Sequence, residues 1–178
     1  IQYWTVDHAE EVKRSLQNGG KIIYSDMFSY YFDYPHICTP LRRVYEDIQV
    51  LDDLNVSDQI EGVECCLWTE HIETAEQLEQ HLFPRLYAFA DMAWNGSGDY
   101  DDFLRRLDAF LEEHHPADMA ITPRSAWEAN VPDRMQCVLA YMGSLTASMS
   151  EEARAATAEA SQPTEAFQKR FAHCFLGR

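Results

Sequence analysis

Basic residues are scarce in this chain: 14 Lys and Arg stand against 30 Asp and Glu among 178 residues, a formal net charge of −16. Nucleic-acid backbones are gripped by clustered Lys and Arg, so nucleic acid is not an expected partner. The same deficit disfavours anionic membranes and polyanionic substrates, and a neutral ligand fits best. No apolar run reaches the length of a membrane span, and no stretch has the form of a signal peptide. Cysteine is sparse and scattered at Cys38, Cys65, Cys66, Cys137 and Cys174, with no Cys-x-x-Cys and no His pair at ligand spacing beside them. Neither a metal site nor another cofactor is therefore expected. Five thiols are an odd number and suggest a reducing, cytoplasm-like setting, though the compartment stays open. Internal repeats and low-complexity tracts are absent too.

What is present is a core-forming composition, 46% hydrophobic, in a length that suits one medium domain or a domain plus an appendage. Residues 1–4 read as the end of a strand. Asp7 can cap a helix to about Leu16, which Asn18-Gly19-Gly20 stops. Lys21 to Ser25 holds the apolar run Ile22-Ile23-Tyr24, a buried-strand pattern. Residues 33–60 read mostly as connection, with Pro35 and Pro40 as breakers and a short helix near Leu41 to Tyr45. Ile60 to Trp68 is the next strand. Thr74-Ala75-Glu76-Gln77 is a capping-box pattern that opens a long helix to Trp94, with a kink expected at Pro84. Asp99 to His114 gives another amphipathic helix. Thereafter residues 116–178 form an Ala-, Met- and Glu-rich tail, with helix starts expected at Thr122-Pro123, Ser150 and Pro163-Thr164.

Strands alternating with helices indicate a parallel β/α sheet, and in such sheets functional side chains gather at the C-terminal strand ends. Three candidate ends occur: Trp4, the Tyr30-Tyr31-Phe32-Asp33 segment, and Trp68-Thr69-Glu70. Each carries an aromatic ring and two add a carboxylate. A lone tryptophan near a strand end packs into a core more often than it lines a pocket. Three ends with the same chemistry favour a pocket, and a flat ring beside an acid suits a sugar. The ring packs on the C–H face while the acid accepts hydroxyls.

The order Trp4, Gly20, Ile22-Ile23-Tyr24-Ser25, Tyr31-Phe32-Asp33, Gly62-Val63-Glu64-Cys65-Cys66-Leu67-Trp68-Thr69-Glu70, Phe83-Pro84-Arg85 and Ala93-Trp94 resembles glycoside hydrolase family 20, the exo-β-N-acetylhexosaminidases. The resemblance runs over roughly residues 1–112. It implies an α/β fold, a partial (β/α)8 TIM barrel with the last three strands and their helices, followed by an α-helical C-terminal extension. Residues 1–115 would be the barrel portion and 116–178 an extension of unknown role. Trp4 and Trp68 would wall a pocket for a terminal N-acetylhexosamine. Tyr31 would donate to the acetamide oxygen, Asp33 would accept from the 6-hydroxyl, and Glu70 from the 4-hydroxyl. The implied chemistry is substrate-assisted and retaining: the acetamide oxygen attacks the anomeric carbon, and Tyr31 helps hold it in line.

In that family an adjacent Asp-Glu pair does the acid–base work, and an arginine from the first strand also grips the sugar. No Asp-Glu dipeptide occurs in these 178 residues. Tyr45-Glu46-Asp47 has the reverse order and falls in a connection. The expectation is therefore a piece of a longer enzyme, supplying sugar-binding residues, inactive alone, with the N-terminal half of the barrel as its missing partner. The chain begins with Ile1 inside a strand, which agrees. The alternative is a non-catalytic carbohydrate-binding or complementing module.

Overall fold

The computed structural model describes residues 1–4, 9–47, 57–69, 72–96 and 98–128. Three short strands, β1 (Gln2–Tyr3), β2 (Ile22–Tyr24) and β3 (Ile60–Val63), pair in parallel in the order β1-β2-β3. Gln2 aligns with Ile23, and Tyr3 and Val63 both align with Tyr24. Between them run α1 (Ala9–Gln17), α2 (Met27–Tyr30) and α3 (Leu41–Glu46), and after β3 come α4 (Ala75–Leu82), α5 (Arg85–Asn95) and α6 (Tyr100–His114). Helix α1 ends where expected: Gly19 takes φ +79°, a left-handed conformation that glycine adopts without Cβ strain. The expected cap Asp7 lies outside the described residues.

Side chains alternate across a strand, and β2 makes the consequence plain. Ile22 and Tyr24 are 2% and 1% exposed, whereas Ile23 between them is 40% exposed. The buried face meets the helices. Tyr24, Tyr30 and Phe32 join Leu41, Val44, Ala88, Met92 and Phe103 in one core, with α3 packed mainly on α5. Beneath it, Asp47 accepts from the Tyr24 hydroxyl at 2.6 Å and pairs with Arg43 at 2.6 Å. Arg43 Nε also donates to Ser29, whose hydroxyl donates to Asp26, so β2, α2 and α3 are tied by one polar network.

The capping box forms in full. Thr74 Oγ1 accepts from the Gln77 amide at 3.1 Å, and the Gln77 side chain accepts from the Thr74 amide at 3.2 Å. The kinked helix expected from Thr74 to Trp94 is instead two helices. Pro84 has no N–H to continue the ladder and forces the preceding residue out of the helical region. Phe83 is accordingly extended, the Phe83-Pro84 bond is cis, and α5 starts afresh at Arg85.

Two other expectations change. The strand expected over Ile60 to Trp68 is regular only to Val63, whereas the one expected within Lys21 to Ser25 forms as β2 and leads into α2, with Tyr30 N–H donating to the Asp26 carbonyl. Thr122-Pro123 opens only a 3-10 turn, Arg124–Ala126. That turn carries Trp127 into the core, where its carbonyl accepts from the Leu41 amide at 3.0 Å, so the core extends past residue 115. The starts at Ser150 and Pro163-Thr164 lie outside the described residues. Among the described residues, no helix is long and apolar enough to cross a membrane.

Candidate functional site

After α2 the chain returns to the sheet edge at one point. Tyr31 and Cys66 form an isolated parallel bridge, with Phe32 N–H donating to the Cys66 carbonyl and Cys66 N–H to the Tyr30 carbonyl, both at 2.8 Å. This register sets Phe32 into the core and leaves Tyr31 and Asp33 on the other side. Asp33 then fixes the turn beyond β3. Its Oδ1 accepts from the backbone N–H groups of Trp68 at 2.5 Å and Thr69 at 2.7 Å. Thr69 sits at φ +63°, a conformation costly for a β-branched residue, and the carboxylate is what holds it there. Trp68 is left 63% exposed.

Trp4, Tyr31, Asp33 and Trp68 converge on one cleft of about 600 Å3, together with Gln2, Met27 and Tyr34. Glu70 lies outside the described residues. Gln2, Met27 and Tyr34 were not singled out in the sequence. Gln2 could have been found by strand alternation, being aligned with Ile23 on the exposed face; Tyr34 stacks on Tyr31 with ring centroids 6.4 Å apart. Burial, followed by the neighbouring Cys66 and Glu64, pushes the Tyr31 hydroxyl up to about 12, so it stays a protonated donor at neutral pH. Burial and the Glu64 carboxylate likewise push the Cys66 thiol up to about 11.

Behind the cleft sits a fully buried cation. The Arg85 guanidinium donates to the carbonyls of Phe32 at 2.8 Å, Tyr34 at 2.7 Å and His81 at 2.6 Å, and its carbon lies 4.9 Å from the Phe32 ring centroid. Arg85 thus clamps the segment that presents Tyr31, Asp33 and Tyr34. His81 Nδ1 lies 2.8 Å from the Phe32 carbonyl oxygen and reinforces it. A second cleft, about 420 Å3, lies between α5 and α6 beside Trp94, away from the strand ends. No group of three or more His, Cys, Asp or Glu among the described residues could hold a metal ion.

A parallel β/α sheet with aromatic rings and an acid gathered past its strand ends has a cleft where such folds carry their functional residues. The family model of the glycosyl hydrolase family 20 catalytic domain matches residues 1–97, and the chain belongs to that family. It is 32% identical over 106 residues to a chitooligosaccharidolytic β-N-acetylglucosaminidase of Bombyx mori, covering 53% of this chain and 18% of that protein. Among solved structures, the Streptomyces coelicolor family 20 β-N-acetylhexosaminidase superimposes with a TM-score of 0.60 at 22% identity, over 71% of this chain and 29% of that one. The Streptomyces plicatus N-acetyl-β-hexosaminidase gives 0.57 at 25% identity, over 68% and 28%. Family and fold thus agree on the TIM-barrel architecture of glycosyl hydrolase family 20. The chain spans less than a fifth of the Bombyx relative it matches.

Proposed function

We propose that this chain forms the last three strands of a (β/α)8 barrel in an exo-β-N-acetylhexosaminidase, with residues 1–115 as the barrel portion and 116–178 as an extension that begins by packing Trp127 into the same core. The enzyme removes terminal β-linked N-acetylglucosamine or N-acetylgalactosamine. One observation carries the reading: Trp4, Tyr31, Asp33 and Trp68, which lie up to 64 positions apart in sequence, line a single cleft. Trp4 and Trp68 stack on the sugar faces. Tyr31 donates to the acetamide oxygen and holds it for attack on the anomeric carbon. Asp33 receives a hydroxyl while its Oδ1 holds the Trp68-Thr69 turn, and Glu70 accepts the 4-hydroxyl. The half-covered sheet also fits, since parallel sheets are ordinarily covered on both faces. The exposed face with Ile23 would then turn into the barrel.

Acid–base catalysis requires groups that this sequence does not supply, since no Asp-Glu pair occurs in it. The 178 residues alone therefore should not hydrolyse an aryl β-N-acetylglucosaminide. In the full-length protein, Tyr31→Phe should lower kcat by about 10²-fold, the usual cost of losing one preorganised donor, and change KM little. Unchanged rates would remove Tyr31 from the acetamide role. Turnover by the isolated chain would overturn the division of labour. Sugar binding with no hydrolysis in the full-length protein would favour a non-catalytic carbohydrate-binding module.

A further inference from the structure

A side-chain tie crosses the open face of the sheet. The Gln2 amide nitrogen, from β1, donates to Ser25 Oγ at 3.2 Å and to Glu64 Oε1, just past β3, at 2.5 Å. In the sheet, β1 and β3 each pair with β2 and not with one another. The tie therefore spans two inter-strand spacings, roughly 10 Å. Chemistry fixes its direction. A carboxylate only accepts, and the Ser25 hydroxyl directs its hydrogen to the Tyr3 carbonyl at 3.5 Å, so both oxygens need the carboxamide hydrogens of Gln2. The Cys66 thiol donates to the same Glu64 oxygen at 3.7 Å, and among the described residues no Lys, Arg or His pairs with this carboxylate. Gln2 itself lines the cleft two residues before Trp4, and Glu64 stands four residues before Trp68. The tie thus joins the two strands that lead to the tryptophans of the cleft.

We propose that Gln2 is a positioning residue: by tying β1 to the end of β3 through Glu64, it fixes the separation of Trp4 and Trp68 and so the width of the slot that receives an N-acetylhexosamine ring. The proposal rests on the reading of the cleft given above. Backbone bonds hold β1 to β2, with Ile23 N–H donating to the Ile1 carbonyl and Ser25 N–H to the Tyr3 carbonyl at 2.9 Å, and Met27 N–H to the Trp4 carbonyl at 3.0 Å. That ladder sets β1 against β2 but not against β3, and changes in twist at the two strand pairs add up across the sheet. A direct link from the first strand to the third removes this freedom. The width matters because a sugar touches both indoles only while they stand roughly 7–8 Å apart, and a gap of about 0.5–1 Å forfeits a quarter to a half of each contact. Such contacts are made equally in the ground and transition states, so their loss falls on KM rather than kcat.

Kinetics of the full-length protein test the tie, with an aryl N-acetyl-β-glucosaminide as substrate and thermal unfolding measured alongside. Gln2→Met keeps the length of the side chain and loses its donors. It should raise KM about fivefold with kcat within about twofold of the parent and the unfolding midpoint unchanged. Gln2→Glu sets a second carboxylate against Glu64 and should raise KM at least as much. Combining Gln2→Glu with Glu64→Gln exchanges donor and acceptor and rebuilds the tie, so KM should return to within about twofold of the parent. If Gln2→Met leaves KM unchanged while Tyr31→Phe lowers kcat, the tie does not set the slot and the reading of the cleft survives. If Tyr31→Phe is silent as well, the cleft reading itself fails. A raised KM that the exchanged pair does not restore would mean that Gln2 touches the sugar directly, which overturns the positioning role. If kcat, KM and unfolding midpoint all deteriorate together in Gln2→Met, the residue is merely structural and the proposal is overturned.

Discussion

The two faces of the same three strands have different fates. Toward the helices, Ile22 and Tyr24 are sealed, and Asp47, Arg43 and Arg85 satisfy their polar groups within the protein. Toward the other side lie Gln2, Ile23, Glu64 and Cys66, with Trp4 and Trp68 at the rim, exposed or half-exposed. The sealed face holds the fold together, and the open face borders the cleft. Bridging the two is the segment from Tyr30 to Tyr34, where Phe32 faces the core while Tyr31, Asp33 and Tyr34 line the cleft. Anything that loosens the sealed side should therefore reach the cleft, and changes confined to the open side should cost little stability.

Arg85→Met tests that asymmetry most severely. It removes the guanidinium donor from the buried carbonyls of Tyr34 and His81 and leaves that of Phe32 to His81 alone, so urea unfolding of the full chain should show a loss of about 3–5 kcal/mol. A loss under about 1 kcal/mol would mean the sealed side does not depend on this clamp.

A sharper version uses neighbours of identical chemistry. Ile22→Ala removes a side chain from the packed face and should cost about 2–5 kcal/mol. Ile23→Ala removes the same atoms from the open face and should cost less than about 1 kcal/mol. Similar losses for the two would erase the distinction between the faces.

Acid probes the sealed side through His36. Burial, then the charge of Arg85, pulls this imidazole down from its ordinary 6.5 to about 3, and its Nε2 lies 3.0 Å from the Gln80 carbonyl oxygen. The folded state resists the proton that the unfolded chain accepts. The stabilisation is present above pH 6.5 and is lost as pH falls toward 3. Between pH 7 and 5 the loss from this group should be about 2 kcal/mol. His36→Asn should flatten that slope, and parallel slopes in the two proteins would refute the assignment.

Much of this could be read from local pattern. The capping box at Thr74, the stop at Gly19 and the amphipathic run of α6 depend on residues within a turn or two of one another, so spacing alone reveals them. Of the aromatic-plus-acid signature, Trp4, Tyr31, Asp33 and Trp68 lie around one cleft, and Glu70 is outside the described residues. What spacing could not reveal were pairings made by the fold itself. Arg85 reaches carbonyls 51 and 53 positions away, Asp33 reaches amides 35 and 36 away, and Cys66 meets Tyr31 only through strand register. Pro84 was legible as a disturbance, but whether it bends or breaks a helix depends on what the two halves pack against. Arg85 has its partners only where a new helix begins.

The mildest test concerns Asp33, which belongs to both regions: it is 8% exposed, yet it shapes the turn that presents Trp68. Asp33→Asn keeps an oxygen where Oδ1 stands but removes the charge that strengthens its two bonds, so global stability should fall by only about 1 kcal/mol. The effect should concentrate in the amides of Trp68 and Thr69. Their hydrogen exchange should quicken several-fold in Asp33→Asn and further in Asp33→Ala, while amides of α5 and α6 change little. Thr69 has reason to respond first, since its positive φ is held against an intrinsic preference and relaxes once the acceptor weakens. Uniform acceleration across the chain would instead make Asp33 part of the global fold, and the line drawn between the scaffold and the cleft would have to move to include it.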